Sequence, residues 1–365
     1  MRRPNEIDFW RGFALVTIFI NHVPGVFYER FTHRNASISD SAELFVFLAG
    51  FSLRYVADVE ARASRLRLTV RLLGRAVTIY AAQILITLVA LGVIASASIL
   101  LDAPPLLDWH NSGPVFTDPV ESHIGLVLLT HQLGYFNILP LYVVLMVAAP
   151  LMALVDRVSP LLLLGLSAAV WLATLVSAAN LPTWPVEGRW FFNPLCWQFM
   201  FVLGFVLADR ERLGGLLRRV RPTARWIAVP IVLAGAAAGL APWSPDPLRL
   251  PEPRLLFTFD KTFLAPAHVI QFLALVALFS GLFRLLPARL APVAAYLSML
   301  GRNSLPVFCV ASVLSLVAQI ARFALGGGLA IDTIVLFTGL VVMGWSAWLS
   351  EWRDRLGALA SSRAR

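Results

Sequence analysis

The sequence predicts an all-α, polytopic integral membrane protein, and three observations predict it. Of its 365 residues, 58% are hydrophobic and only 14% are charged, with a mean hydropathy of +0.75, outside the range of ordinary soluble domains. Apolar runs long enough to approach or span a hydrocarbon core of roughly 30 Å recur along the whole chain. Most arginines gather between those runs. A single integral-membrane domain over residues 1–365 is expected, with its polar motifs between about 8 and 309 and a basic tail from about 350 to 365.

About ten transmembrane helices are expected, near 9–27, 42–57, 75–101, 138–155, 160–179, 193–208, 226–241, 268–286, 303–321 and 330–349. The first follows Arg2 and Arg3, as a signal peptide would. It carries Arg11 and lacks a small-x-small cleavage site, so it is read as retained. The second, sixth and seventh are short, which suits re-entrant or broken helices whose backbone groups face protein or a watery cavity. The ninth opens on Arg302, Asn303 and Ser304, with Pro306 placed for a first helical turn.

Charge orients these helices. Arg62, Arg65, Arg67, Arg71 and Arg75 fill one connection, and Arg210, Arg212, Arg218, Arg219, Arg221 and Arg225 fill another, so both are expected on the cytoplasmic side. An even number of spans then puts both termini inside, with Arg2, Arg3, Arg353, Arg355, Arg363 and Arg365. The outer connection 102–122 carries Asp102, Asp108, Asp118 and Glu121 and no lysine or arginine. The net charge of +9 is therefore a topology signal that the lipid bilayer explains. It does not form one basic face with interleaved aromatics, so nucleic acid is excluded as a partner.

Two cysteines, Cys196 and Cys309, sit in different apolar runs and provide neither a disulfide framework nor a metal cluster. The six histidines, His22, His33, His110, His123, His131 and His268, all fall in expected outer loops or near outer helix ends. None stands at metal-ligand spacing, so no metal site is expected.

The first helix is the most specific element. Positions 11, 15, 18 and 22 share one helical face, so Arg11 and His22 lie on one stripe about 16 Å apart along the axis, with Leu15 and Ile18 between them. Arg11 can equally snorkel to the inner headgroups beside Asp8. An imidazole inside a span is costly unless it serves a cavity or a partner, which makes His22 a candidate active group.

Downstream, "THRNASISDSAELFVFLAGF" concentrates polar residues before an apolar run. Ser39, Asp40 and Ser41 suit a helix N-cap and Glu43 a first turn. Either Asp40 or Glu43 equally suits the task of holding His22 in the tautomer that frees one ring nitrogen as a base. Two further polar islands, "THQLGYFNILPLY" with His131 and "FTFDKTFLAPAH" with Asp260 and Lys261, are candidates to join the site. Lys261 is the only lysine in the chain.

These residues resemble acyltransferase family 3, in which a basic residue on the first helix is followed, after ten others, by a histidine. Arg11 and His22 match that spacing, and "LFVFLAGFSL" resembles the family's Phe-rich segment, with Ala49 in place of its serine. The resemblance is closer to the OpgC branch, through "DFWRG", "THRN", "SDSAELFVFLAG", "HQLGYFNILPLY", "FDKTFLAPAH" and "GRNSLPVFC", in order from residue 8 to about 309.

The resemblance implies a multi-pass enzyme of the bacterial inner membrane, with an acyltransferase family 3-like bundle and an active site opening toward the periplasm. Such an enzyme O-acylates periplasmic glucan or a related envelope polysaccharide, the known group being succinyl. Acyl-CoA, succinyl-CoA in that case, would be a cytoplasmic co-substrate, with no permanently bound cofactor. His22 would be the general base, with Asp40 and Glu43 beside it. Arg11, Arg75 and Arg302 would hold the acyl donor. His33, Arg34, Asn35, His131, Asp260 and Lys261 would meet the substrate or the oxyanion. A homo-oligomer is compatible with this reading. The alternative from a different class is a transporter or flippase for an anionic solute or glycan, for which ten helices and buried polar groups suit equally well.

Overall fold

The computed structural model describes residues 4–209, 211 and 213–363. Arg2, Arg3, Arg210, Arg212 and Arg365 lie outside the described residues, as do the side chains of Arg62 and Arg363. Thirteen α-helices are described: α1 (Glu6–Asn21), α2 (Ser41–Ala63), α3 (Arg65–Leu100), α4 (Gly113–Thr117), α5 (Pro119–Val127), α6 (Ile138–Val158), α7 (Pro160–Ser177), α8 (Pro194–Ala208), α9 (Leu213–Leu240), α10 (Pro266–Phe279), α11 (Ala291–Arg302), α12 (Ser304–Leu325) and α13 (Leu329–Arg363). Among the described residues the only β-type pairing is an isolated bridge between Pro182 and Arg189.

Among the described residues seven stretches are long and apolar enough to cross a membrane, in α3, α6, α7, α9, α12 and α13 and in Pro266–Leu285, which runs from α10 into the 3₁₀ turn after it. Of the other expected spans, α1 has 16 residues and α8 has 15, about 24 and 22 Å at 1.5 Å per residue. α2 has 23 residues, but Glu43, Arg54 and Asp58 interrupt its apolar run.

Several boundaries differ from expectation, for one physical reason. Hydropathy marks where a helix leaves hydrocarbon, not where it stops. Arginine and leucine are good helix formers, so the connection holding Arg65, Arg67, Arg71 and Arg75 is helical and belongs to α3, with only Ser64 extended between α2 and α3. Likewise α9 begins at Leu213 and takes in Arg218, Arg219, Arg221 and Arg225. The second and seventh helices are therefore long, and only the sixth is short. The short helices α4, α5 and α11 had no apolar signature of spanning length.

The chain divides into two compact units, one of residues 1–35 with 279–365 and the other of 36–278. In the 36–278 unit, α8 is the central helix and packs on α2, α7 and α6. It is apolar on every side, as a helix surrounded by protein must be, and Trp197, Met200 and Phe201 are fully buried. Its backbone meets that of α2 through glycines. A Cβ on Gly50 would stand 1.9 Å from the Phe201 carbonyl oxygen, and one on Gly204 would stand 2.0 Å from that of Phe47.

The other unit uses the same device. There α1 packs chiefly on α11 and then α12. Gly12 faces the Leu297 carbonyl and Gly301 faces the Asp8 carbonyl, each with room for a Cβ only at 1.9 Å. Small residues let helices approach closely where lipid offers no hydrophobic drive between them.

Candidate functional site

In the 36–278 unit the polar centre grows from the start of α2. Asp40 Oδ1 accepts the Ala42 N–H at 2.8 Å, and Glu43 Oε2 accepts the Asp40 N–H at 2.9 Å. This reciprocal arrangement is a capping box, and it selects Asp40 over Ser39 and Ser41 as the cap. Each acid keeps one oxygen for a distant partner. Asp40 Oδ2 takes the Lys261 ammonium, and Glu43 Oε1 lies 2.7 Å from His268 Nδ1. His268 Nε2 is 3.2 Å from the Phe259 carbonyl oxygen. The network assigns a proton to Nε2 for that bond, and a second is shared between Nδ1 and Glu43.

Burial pushes the Asp40 carboxyl up, but the Lys261 ammonium, its hydrogen bond and the Ala42 N–H outweigh burial and hold it well below the usual carboxylate range. Lys261 is fixed through its backbone as well. Trp197 Nε1 donates to the Lys261 carbonyl at 3.1 Å, Asn193 N–H to that of Thr262 at 3.3 Å, and Trp171 Nε1 to that of Leu264 at 3.1 Å. Asp260 holds the turn, its Oδ1 accepting the Phe263 N–H at 2.9 Å. The connection before α10 is thus tied to α7, α8 and the start of α2.

Asp40 and Glu43 were expected beside His22. All four of their oxygens accept bonds within their own unit, and the imidazole paired with Glu43 is His268. His131 also lies in this unit, in the connection before α6, and is 2% exposed. Burial lowers its pKa, against a hydrogen bond to the Asn111 backbone that works the other way. Arg75 is exposed on α3.

The other unit holds Arg11, His22, His33, Arg34, Asn35 and Arg302. Arg11 is half-buried in α1, and His22 is the C-cap, its N–H bonded to the Ile18 carbonyl. Leu15 is fully buried and Ile18 is 8% exposed, so the stripe between Arg11 and His22 is packed and is not the wall of an open passage. The open face of α1 is a neighbouring one. Phe13, Val16, Thr17 and Ile20 line a cleft of about 460 Å³ with Tyr296, Leu297 and His33.

After His22 the chain turns into two short 3₁₀ segments, Phe27–Phe31 and His33–Ala36. Within the unit they return toward α1. Thr32 donates to Asn21 Oδ1 at 2.8 Å, and the His33 ring lies 5.5 Å from that of Phe13. Gln319 Nε2 donates to the His22 carbonyl at 2.6 Å. Arg322 bridges the Gly25 carbonyl and Asp332, which accepts the Phe27 N–H. Arg34 pairs with Glu29 at 3.6 Å, and Asn35 Nδ2 donates to the Glu29 carbonyl at 2.7 Å. Arg302 is engaged by Glu351 through two nitrogens, at 2.9 and 2.7 Å.

A family model described as OpgC protein matches residues 3–355. The chain belongs to the OpgC family. OpgC membership implies an acyltransferase, and with seven apolar spans among the described residues the chain is a membrane protein. No curated protein and no solved structure matches it. The OpgC match takes in the Asp40–Lys261 and Glu43–His268 pairs as well as α1 with Arg11 and His22. No group of three or more His, Cys, Asp or Glu residues able to hold a metal is found among the described residues.

Sequence reasoning passed over Arg54, on α2, whose guanidinium meets Asp156 at 2.5 Å, Asp58 at 2.9 Å and Asp209 at 3.1 Å. The available signal was Arg54 inside an apolar run, since an ionisable residue there needs a partner. It also passed over the partnership of His268 with Glu43, which a sequence separation of 225 conceals.

Proposed function

We propose that this OpgC protein is a membrane O-acyltransferase of the acyltransferase family 3 kind, moving a succinyl group from cytoplasmic acyl-CoA to hydroxyls of periplasmic glucan or a related envelope polysaccharide. The observation that carries the reading is the family match over residues 3–355, which includes both polar centres. In this reading the enzyme sits in the bacterial inner membrane and opens toward the periplasm.

His22 takes the proton of a sugar hydroxyl as its oxygen attacks the thioester carbonyl. The C–O bond forms, the C–S bond breaks, and CoA leaves as a thiolate that recovers the proton. No covalent enzyme intermediate is required. Arg11 and Arg75 draw the donor's phosphates, a task for which guanidinium geometry is suited. Arg302, held by Glu351 through two nitrogens, is the third donor residue of this reading. With the 11–22 stripe packed, the acyl group follows the cleft beside Phe13, Val16 and Ile20, past His33. Asp40, Glu43, Lys261 and His268 act by ordering the connection before α10.

The test is mass spectrometry of envelope glycans from cells making wild-type, His22→Ala or Arg11→Ala protein at matched levels. Loss of acylation in both variants is expected. Full acylation with His22→Ala sinks the mechanism, and unchanged glycans on removal of the wild-type protein sink the function.

A further inference from the structure

The connection between α3 and α6 has a construction that the acyl-transfer chemistry does not use. Residues 102–137 contain four acids and no lysine or arginine. Five of the eight non-glycine residues with positive φ among the described residues lie here: Asp102, His110, Asn111, Leu129 and Tyr135, with φ between 47° and 65°. Asparagine and histidine tolerate that conformation, whereas leucine and tyrosine rarely adopt it. Such strain persists where surrounding contacts impose it, and it gathers at functional sites.

Two of the strained turns face each other. The Gly134 N–H donates to the His110 carbonyl at 2.8 Å, and the His110 ring lies 5.2 Å from that of Tyr135 and 6.1 Å from that of Trp109. All three rings are half-exposed, with Asn111 exposed and Gln132 half-exposed beside them. Buried nearby, His131 has an Nε2 without a hydrogen-bond partner among the described residues. A polar atom left so in an interior asks for an explanation, a functional role among them.

We infer that Trp109, His110 and Tyr135, with Asn111 and Gln132, form a subsite for neutral sugar units of the glycan acceptor. The inference rests on the proposed function, to which it adds where the acceptor is held. A hexose ring offers an apolar C–H face to an aromatic ring and a rim of hydroxyls to amide and imidazole groups. A segment with acids and no cation repels the phosphates of an acyl donor but is indifferent to a neutral polyol.

Hydrogen bonds connect this subsite to the Lys261 connection. Thr130 Oγ1 donates to the Trp184 carbonyl at 3.0 Å. The segment that Trp184 opens ends at Asn193, whose N–H donates to Thr262, next to Lys261.

The test measures binding to the full-length protein in nanodiscs, with a neutral unacylated gluco-oligosaccharide and succinyl-CoA as separate probes. Trp109→Ala and Tyr135→Ala are each expected to weaken oligosaccharide binding by about tenfold or more, as loss of a central aromatic anchor does. Tyr135→Phe retains it, and succinyl-CoA binding and the melting temperature stay at wild-type values. Oligosaccharide affinity is expected to be the same at low and high salt. Unchanged affinity in both alanine variants, or affinity that falls steeply with salt, overturns the subsite. So does a wild-type protein that binds succinyl-CoA and no oligosaccharide. Oligosaccharide binding that depends on Trp109 and Tyr135 but is never followed by acyl transfer upholds the subsite and rejects the enzyme reading.

Discussion

Glu43 Oε1 and His268 Nδ1 lie 2.7 Å apart, on residues 0% and 4% exposed. Glu43 serves two ends at once, since its other oxygen caps the backbone at Asp40. Removing the carboxylate therefore strands an imidazole and a helix terminus together. Glu43→Ala is expected to destabilise by about 3–5 kcal/mol, the usual cost of breaking a buried pair from one side. Glu43→Gln keeps an oxygen for the cap and an amide for the ring, and is expected to lose much less. Thermal melts of both variants in detergent check the order. Equal melting temperatures for Gln and Ala contradict the double role.

Asp40 and Lys261 give a pH dependence whose sign is fixed by direction. The Asp40 carboxyl is held below its ordinary value in the folded chain, so the folded state binds its proton less readily than the unfolded state does. Its contribution is fully present above the unfolded pKa of about 4 and is lost as pH falls through the lower folded value. Asp40→Asn is accordingly expected to lower the melting temperature at pH 7. The gap to wild type is expected to narrow steadily below about pH 4. A gap constant over that window refutes the assignment.

Arg54 stands among Asp58, Asp156 and Asp209, which come from α2, the end of α6 and the end of α8. The guanidinium fixes three helices with one planar fork. Arg54→Met is expected to destabilise by about 3–5 kcal/mol, because buried carboxylates then lose their cation. Adding Asp156→Asn and Asp209→Asn to Arg54→Met removes that burden and is expected to restore part of the loss. A triple variant no more stable than Arg54→Met shows that the cluster does not act as a unit.

Helix contact through glycine makes a prediction that needs no polar group. Gly50 and Gly204 each face the other helix's carbonyl within 2.0 Å of an added Cβ, and backbone cannot yield as a side chain can. Gly50→Val and Gly204→Val are expected to abolish folded protein in membranes. Gly74→Ala, with nothing within 4 Å, is expected to be neutral or slightly stabilising, through helix propensity. Detergent-extracted yield and monodispersity decide it.

The helical class and the apolar segments were legible in the sequence because hydropathy and periodicity are local. Helix ends were less so, since Arg65 to Arg75 and Arg218 to Arg225 continue helices that composition alone would stop. The polar islands around Asp40, His131 and Lys261 were also visible, as breaks in apolar text. Their pairing was not. Asp40 and Glu43 read as candidates to orient His22; within their own unit their partners are Lys261 and His268, brought up by the connection before α10. The stripe from Arg11 to His22 was read as one helical face, but a face says nothing of what covers it, and Leu15 and Ile18 are core.

That packing sharpens the test of His22. A general base contributes about 10²–10⁴-fold to rate, and its loss removes the dependence of the rate on its own titration. His22→Ala is therefore expected to cut transfer in that range and to flatten the acid limb of the pH–rate profile. His33 lines the cleft and contacts Phe13, so His33→Ala tests the competing assignment within the same unit. If His22 is the base, His33→Ala raises KM or lowers the rate modestly while the acid limb survives. An acid limb that vanishes with His33→Ala and survives with His22→Ala transfers the base to His33.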